Sequence, residues 1–150
     1  MNFDILHVVK KLEERIEKEK VKLIRLNSLI GKCTAEIDGM PHAHNGQSRV
    51  EQLAAAIVDC SNRIKELCFV RIDCRIELSA WLDTYVKDTA QNQVLFLRYG
   101  MCKPFKAIAR ELGYSDSSVF RLHRLGLQTL DIKQTLSEIW EFDTALRQTA

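Results

Sequence analysis

The sequence predicts an all-α protein with a long antiparallel helical hairpin, a domain of short helices and a short C-terminal helix. Only two prolines and six glycines interrupt the 150 residues, and two long stretches repeat apolar residues at alternating steps of three and four. A third stretch, 105–124, has the spacing of two short helices joined by a tight turn. We therefore expect a coiled-coil assembly arm at 1–87, a helix-turn-helix domain at 88–134 and a helical tail at 135–150.

Two heptad seams predict the long helices of the hairpin. The first seam consists of Ile5, Val9, Leu12, Ile16, Glu19, Leu23, Leu26, Ile30, Cys33 and Ile37. The second consists of Val50, Leu53, Ile57, Cys60, Ile64, Leu67, Arg71, Cys74, Leu78, Trp81 and Tyr85. Each seam has one charged exception, Glu19 in the first and Arg71 in the second. Such a seam is the side that a coiled-coil helix turns towards its partner.

A loop between the two seams is predicted from residues that interrupt helices. Gly39-Met40-Pro41 and Asn45-Gly46 break the helical pattern. Ser48 followed three residues later by Glu51 has the spacing of a capping box, so we expect the second helix to begin there.

The two charged exceptions predict how the hairpin pairs. If the residue numbers of two facing positions add up to 90, Ile16 meets Cys74 and Glu19 meets Arg71. A single ion pair within a seam favours one register, because any slip leaves each charge opposite an apolar side chain. Two alternatives are that both charged side chains extend independently to solvent, and that the helices pair between two chains.

The third stretch follows the spacing rules of a helix-turn-helix unit. Its fifth residue, Ala109, is small where the helices cross, its ninth, Gly113, tolerates a left-handed turn, and its fifteenth, Val119, is β-branched. Pro104 can occupy the first helical position, and Ser115 can cap the second helix. The alternative is an ordinary helical pair in which Gly113 only ends the first helix.

Charge is concentrated around this unit. Between residues 91 and 133 the basic residues are Arg98, Lys103, Lys106, Arg110, Arg121, Arg124 and Lys133, and the acidic ones are Glu111, Asp116 and Asp131. Seven bases and three acids leave +4, whereas the whole chain carries +2, so the remainder carries −2. A basic block of this kind favours binding to nucleic-acid phosphates.

Helical spacing predicts which side chains would contact DNA. If the second helix begins near Asp116, Val119 and Leu122 face inward. The outward set is Ser115, Asp116, Ser117, Phe120, Arg121 and Arg124. Arg121 suits a bidentate contact to guanine and Phe120 suits a thymine methyl group, although burial of Phe120 against the tail is an alternative.

The remaining positions near this helix suit phosphates or packing. Ser115 and Ser117 suit phosphate contacts or helix capping, and Lys103, Lys106 and Arg110 suit backbone anchoring. His123 suits either a phosphate contact or packing behind Leu122.

Several other classes of function are not indicated. The chain has no apolar run approaching the length of a membrane span, which is about 18 residues. Its start, Met1 to Asp4, lacks the basic character of a secretory signal, so we expect a cytoplasmic protein. Its five cysteines are an odd number and lack Cys-x-x-Cys spacing, so neither a disulfide scaffold nor a zinc ribbon is indicated. His42 and His44 would bind a metal only with ligands from elsewhere. We expect no enzyme, cofactor or metal site, since no paired nucleophile and base and no phosphate loop are present.

The C-terminal half resembles region four of bacterial sigma factors. The matching residues are Val94 to Tyr99, Ile108-Ala109, Leu112 to Ser115 and Val119. The whole chain is similar to ArpU/RinA-type phage and prophage transcriptional regulators, through Gly39-Met40-Pro41, Ser48 to Asp59 and Val119 to His123. The resemblance implies a DNA-binding activator of phage late or packaging genes that acts with host RNA polymerase.

Two features depart from this family. Members often have alanine where Gly126 stands, and because glycine costs about 1 kcal/mol in a helix, we expect fraying or bending there. The tail from Thr135, with Leu136, Ile139, Trp140 and Leu146 at helical spacing, has no counterpart.

Two functions from different classes follow. The first is a sequence-specific regulator that binds double-stranded DNA, with a second copy of the chain as a partner. The second is a non-enzymatic adaptor that engages RNA polymerase or a small-terminase-like packaging protein through the coiled coil.

Overall fold

The computed structural model describes residues 4–37 and 44–133, with side chains described at 6–34 and 49–130. Every element in these ranges is helical, so the prediction of an all-α protein is confirmed. The α-helices are α1, Asp4–Ile37; α2, His44–Tyr85; α3, Thr89–Leu95; α4, Phe105–Leu112; and α5, Asp116–Lys133. The predicted Gly39-Met40-Pro41 loop, His42 and the 135–150 tail lie outside the described residues.

The chain forms two compact units. Among the described residues, one unit combines α1 up to Leu12 with residues 70–133, and the other comprises Glu13–Phe69 apart from the gap at 38–43. Both unit boundaries therefore fall inside long helices, whereas the sequence-based division at residues 87 and 88 stays a prediction.

The seams of α1 and α2 are confirmed as the protected sides of these helices. Every seam residue whose side chain is described is buried or half-buried. Ile16 and Cys60 in the Glu13–Phe69 unit, and Leu78 in the other unit, are completely buried. The start of α2 differs from the prediction. The helix begins at His44, so Ser48 lies within its second turn and does not cap it.

The predicted pairing of Glu19 with Arg71 is wrong. In the Glu13–Phe69 unit the Glu19 carboxylate accepts a hydrogen bond from Arg63 Nε at 3.3 Å. The Cys60 thiol donates to the same carboxylate at 3.4 Å and lies 3.3 Å from the Glu19 carbonyl oxygen. The residue numbers of these contacting pairs add up to 79 for Glu19 with Cys60 and to 82 for Glu19 with Arg63, and not to the predicted 90.

A small apolar core holds the short helices together. Its buried members are Val94, Ile108, Ala109 and Val119, and Leu97, Phe105, Leu112 and Leu122 pack against them. Ala109 and Val119 are the small and the β-branched positions predicted from the motif spacing. Their burial explains why those residue types are needed where α4 and α5 cross.

The connection between α3 and α4 begins with a wide π-helical turn, Phe96–Gly100. The Met101 N–H donates to the Phe96 carbonyl at 3.1 Å, and the Arg75 Nε donates to the Gly100 carbonyl at 2.7 Å. A Cβ at Gly100 would lie 2.9 Å from the Phe96 ring, so a side chain at this position would require that ring to move. Cys102 follows with φ of 55°, a left-handed conformation that is uncommon for a residue other than glycine.

Candidate nucleic-acid interface

Local sequence signals end α4 and begin α5, and the two helices pack against each other. Gly113 ends α4 with φ of +71°, and the Tyr114 N–H donates to the Ala109 carbonyl at 3.0 Å. Ser115 caps α5, because its hydroxyl accepts a hydrogen bond from the Ser118 N–H at 3.3 Å. Pro104 was expected at the first helical position of α4. It occupies the N-cap position instead, because the helix begins at Phe105.

The predicted reading residues share one exposed surface. Ser115, Asp116, Ser117, Phe120, Arg121 and Arg124 are all exposed. On the opposite side of α5, Val119 is completely buried and Leu122 is half-buried in the small core. The structure therefore brings the whole predicted α5 set together on the solvent side of a helix whose other side is fixed by packing.

The serines at the start of α5 bond to one another. The Ser115 hydroxyl lies 2.8 Å from that of Ser118 and 3.2 Å from that of Ser117. Since Ser115 also accepts the Ser118 N–H, its main local role is to cap the helix. The exposed Ser117 hydroxyl stays accessible to a phosphate.

The three predicted anchoring cations differ in their surroundings. Lys106 and Arg110 are exposed on α4. Lys103, which precedes α4, forms an ion pair with Glu111 and is half-buried. An anion would have to compete with that carboxylate for Lys103, whereas the exposed Lys106 and Arg110 are more accessible.

An aromatic stack supports the exposed surface from behind. The centroid of the Phe105 ring lies 4.6 Å from that of Phe120 and 5.0 Å from that of His123. The Arg98 guanidinium lies 4.4 Å from the Phe105 centroid, within the range of a cation–π contact, and donates to the Lys103 carbonyl at 3.1 Å. Phe120 nevertheless keeps 53% of its surface exposed.

His123 belongs to this stack and is half-buried. Its Nε2 lies 2.8 Å from the Tyr99 hydroxyl. Burial lowers the pKa of His123, and the nearby Arg98 charge lowers it further. A neutral imidazole can accept a hydrogen bond from the Tyr99 hydroxyl, whose own pKa is raised by burial. This geometry supports a packing role for His123.

Gly126 does not interrupt α5. The helix continues through it to Lys133, so the expected fraying is not found. A Cβ at this position would lie 2.7 Å from Leu95 Cδ1 and 3.1 Å from Leu95 Cγ. Glycine is needed here because it lets α5 approach α3 closely, which sequence spacing could not reveal.

No family model, curated protein or solved structure matches this chain. Among the described residues, no helix has the length and apolar character needed to cross a membrane. The same part of the chain holds no group of three or more side chains suited to binding a metal ion.

Sequence reasoning missed the supporting residues of this surface. In the sequence, Phe105, Arg98 and Tyr99 are notable only for motif position, charge and family resemblance. Phe105 and Phe120 stand fifteen positions apart in the chain, so only the packing of α4 on α5 could bring their rings together.

Proposed function

We propose that this chain is a sequence-specific double-stranded DNA-binding transcriptional regulator of the ArpU/RinA type. In this role α5 enters the major groove and α4 lies across the phosphate backbone. The chain activates phage late or packaging genes together with host RNA polymerase. It binds as a homo-oligomer, of which a dimer on two half-sites is the simplest form.

One observation carries the proposal most directly. The six outward residues of α5 are exposed together, while Val119 behind them is completely buried. A helix fixed on one side and polar on the other can present side chains to base edges without rearranging. Arg121 is the main candidate for guanine, since arginine can donate two hydrogen bonds to guanine O6 and N7.

Two variants test the assignment of reading and anchoring residues. Arg121→Ala should weaken binding to the selected operator by about 1 to 3 kcal/mol and relax the base preference at one position. Lys106→Ala should weaken binding to all duplexes alike, because a phosphate contact carries no sequence information. Footprinting on phage DNA identifies the operator, and fluorescence anisotropy measures both affinities. If Arg121→Ala lost the same affinity for operator and for random DNA, Arg121 would not be a base-contacting residue.

A second candidate is the non-enzymatic adaptor, in which the chain engages RNA polymerase or a packaging protein without reading DNA. It is favoured by large apolar side chains exposed on the part of α2 that follows Val70, where Ile72 is 48% and Ile76 64% exposed. Clusters of exposed apolar residues often mark protein-binding surfaces. Sequence-selective, salt-dependent binding to duplex DNA separates the two functions, since only the regulator requires it.

A further inference from the structure

Phe120 differs from its neighbours on the outward side of α5. That side otherwise consists of hydroxyl, carboxylate and guanidinium groups, whereas Phe120 presents an aromatic ring with 53% of its surface exposed. Leaving so much of a large apolar side chain in water forfeits much of the stabilisation that burial would provide. The exposed part of the ring is therefore available to cover an apolar group of a ligand.

The Phe120 ring is also held in place. Phe105 lies against it at a centroid distance of 4.6 Å, with the two ring planes inclined by 40°. Phe105 in turn contacts the Arg98 guanidinium, 4.4 Å from its centroid, and the His123 ring, which is nearly perpendicular at a centroid distance of 5.0 Å. The Arg98 side chain is anchored to the Lys103 carbonyl. Phe120 is thus supported from behind before any ligand arrives, which lowers the cost of binding.

The chemistry of the major groove limits what such a ring can recognise. Base edges there present hydrogen-bond donors and acceptors, and the 5-methyl group of thymine is the apolar exception. An aromatic ring gains by covering that methyl group and gains little from the polar edges. Arg121, the neighbouring residue, is suited to a guanine.

We infer that Phe120, positioned by Phe105 and Arg98, reads the 5-methyl group of a thymine close to the guanine contacted by Arg121. This inference rests on the proposed function. Phe120 supplies the contact, and Phe105 is a positioning residue that acts through the orientation of the Phe120 ring. Removing the methyl group from the DNA tests this contact by itself, since every hydrogen bond of the base pair is left unchanged.

The test replaces each thymine of the selected operator, one at a time, by deoxyuridine. Binding of the full-length protein is measured by fluorescence anisotropy. We expect one substitution to weaken wild-type binding about fourfold, the factor expected for one methyl-sized apolar group. Phe120→Ala should bind the thymine and uracil duplexes equally. Arg121→Ala is the matched control and should keep the uracil effect while losing its guanine preference.

Phe105→Leu tests the positioning role separately. It keeps an apolar side chain beneath Phe120, so it should reduce the uracil effect while leaving the guanine preference of Arg121 in place. An unchanged uracil effect in a folded Phe105→Leu protein overturns the positioning role.

Two further outcomes are decisive. Selective binding that no deoxyuridine substitution weakens overturns the inference and leaves the proposed function standing. A protein that selects no duplex sequence overturns the proposed function and this inference with it. The base-analogue comparison uses wild-type protein, so an absent uracil effect overturns the inference even where a variant fails to fold. A uracil effect of unchanged size in folded Phe120→Ala overturns it as well, because another residue then contacts the methyl group.

Discussion

Gly113 and Gly126 show that two glycines in one short domain serve different physical needs. Gly113 occupies a left-handed conformation with open space around it, whereas Gly126 is helical and lies against Leu95. The first need follows from turn chemistry and is visible in the sequence. The second depends on the distance between two helices.

We predict that Gly126→Ala destabilises the protein. Alanine gains about 1 kcal/mol of helix propensity, but overpacking against the completely buried Leu95 costs about 1 to 3 kcal/mol. Gly31→Ala is the matched control, since no atom lies within 4 Å of a Cβ built there. It should increase the free energy of unfolding by about 1 kcal/mol. Urea denaturation measures both changes, and a stabilising Gly126→Ala would contradict the close approach.

His123 predicts a pH dependence of stability. Burial and then Arg98 lower its pKa in the folded state, so the folded protein binds this proton less readily than the unfolded chain. The stabilising contribution is complete above the unfolded pKa of about 6.5 and is lost as the pH falls through the folded pKa. The groups that face the ring are Tyr99, Phe105 and Arg98.

The measurement is urea denaturation between about pH 7.5 and pH 5, the range in which histidine titrates. The free energy of unfolding should fall more steeply with acidification for wild type than for His123→Gln. Parallel pH profiles for the two proteins would show that His123 has no lowered pKa.

At the scale of elements, α1 and α2 illustrate what a heptad repeat leaves open. The repeat identifies the protected side of each helix, because buried and half-buried residues recur along it. It does not select the register, since a seven-residue repeat matches itself after every shift of seven. The contact of Glu19 with Arg63 is decided by how the helices pack.

We predict that Glu19 is coupled to Arg63 and not to Arg71. Partial burial alone raises the pKa of Glu19, but hydrogen bonds from Cys60 and Arg63 outweigh it and hold the pKa below its ordinary value. The pair is partly exposed, so the coupling should be small and should weaken with added salt. Thermal melts of Glu19→Gln, Arg63→Gln and the double variant form the test cycle.

The same cycle with Arg71→Gln is the control. Additive effects are expected there, because Glu19 lies against another arginine. If Glu19 were coupled to Arg71 and additive with Arg63, the register predicted from the sequence would be correct and the Glu19–Arg63 contact would be contradicted. Because the pKa of Glu19 is lowered in the folded state, its contribution is present above the unfolded pKa and is lost as the pH falls through the folded pKa.

At the scale of the whole molecule, charge is distributed unevenly along a nearly neutral chain. The region between residues 91 and 133 carries +4 while the rest carries −2. Within that region Lys106, Arg110, Arg121 and Arg124 are exposed, whereas Lys103 is paired with Glu111. In the proposed function, affinity therefore depends on a few cations and falls as salt displaces them from phosphates.

We predict that Glu111→Gln tightens DNA binding and steepens its salt dependence, because it releases Lys103 for a phosphate contact. Lys106→Ala should instead reduce the slope of log K against log salt by about 1. Glu77→Gln removes an equal charge from an exposed position on α2 and is the matched control. Anisotropy titrations at several salt concentrations measure the slopes. Identical effects of Glu111→Gln and Glu77→Gln would show that only net charge matters.

The sequence by itself determined the helical class, the protected sides of α1 and α2, the left-handed Gly113 and the Ser115 cap. These features depend on periodicity and on turn and capping preferences, which act within a few residues. The spacing of Ser48 and Glu51 did not identify the start of α2, because the same spacing can also occur inside a helix.

Only the tertiary structure decided which distant residues meet. It placed Glu19 against Arg63, Gly126 against Leu95, and Phe105 between Phe120 and Arg98. These contacts depend on the spacing and rotation of packed helices. A local pattern is compatible with many such arrangements, because each helix can slide or turn by one repeat and keep its apolar side covered.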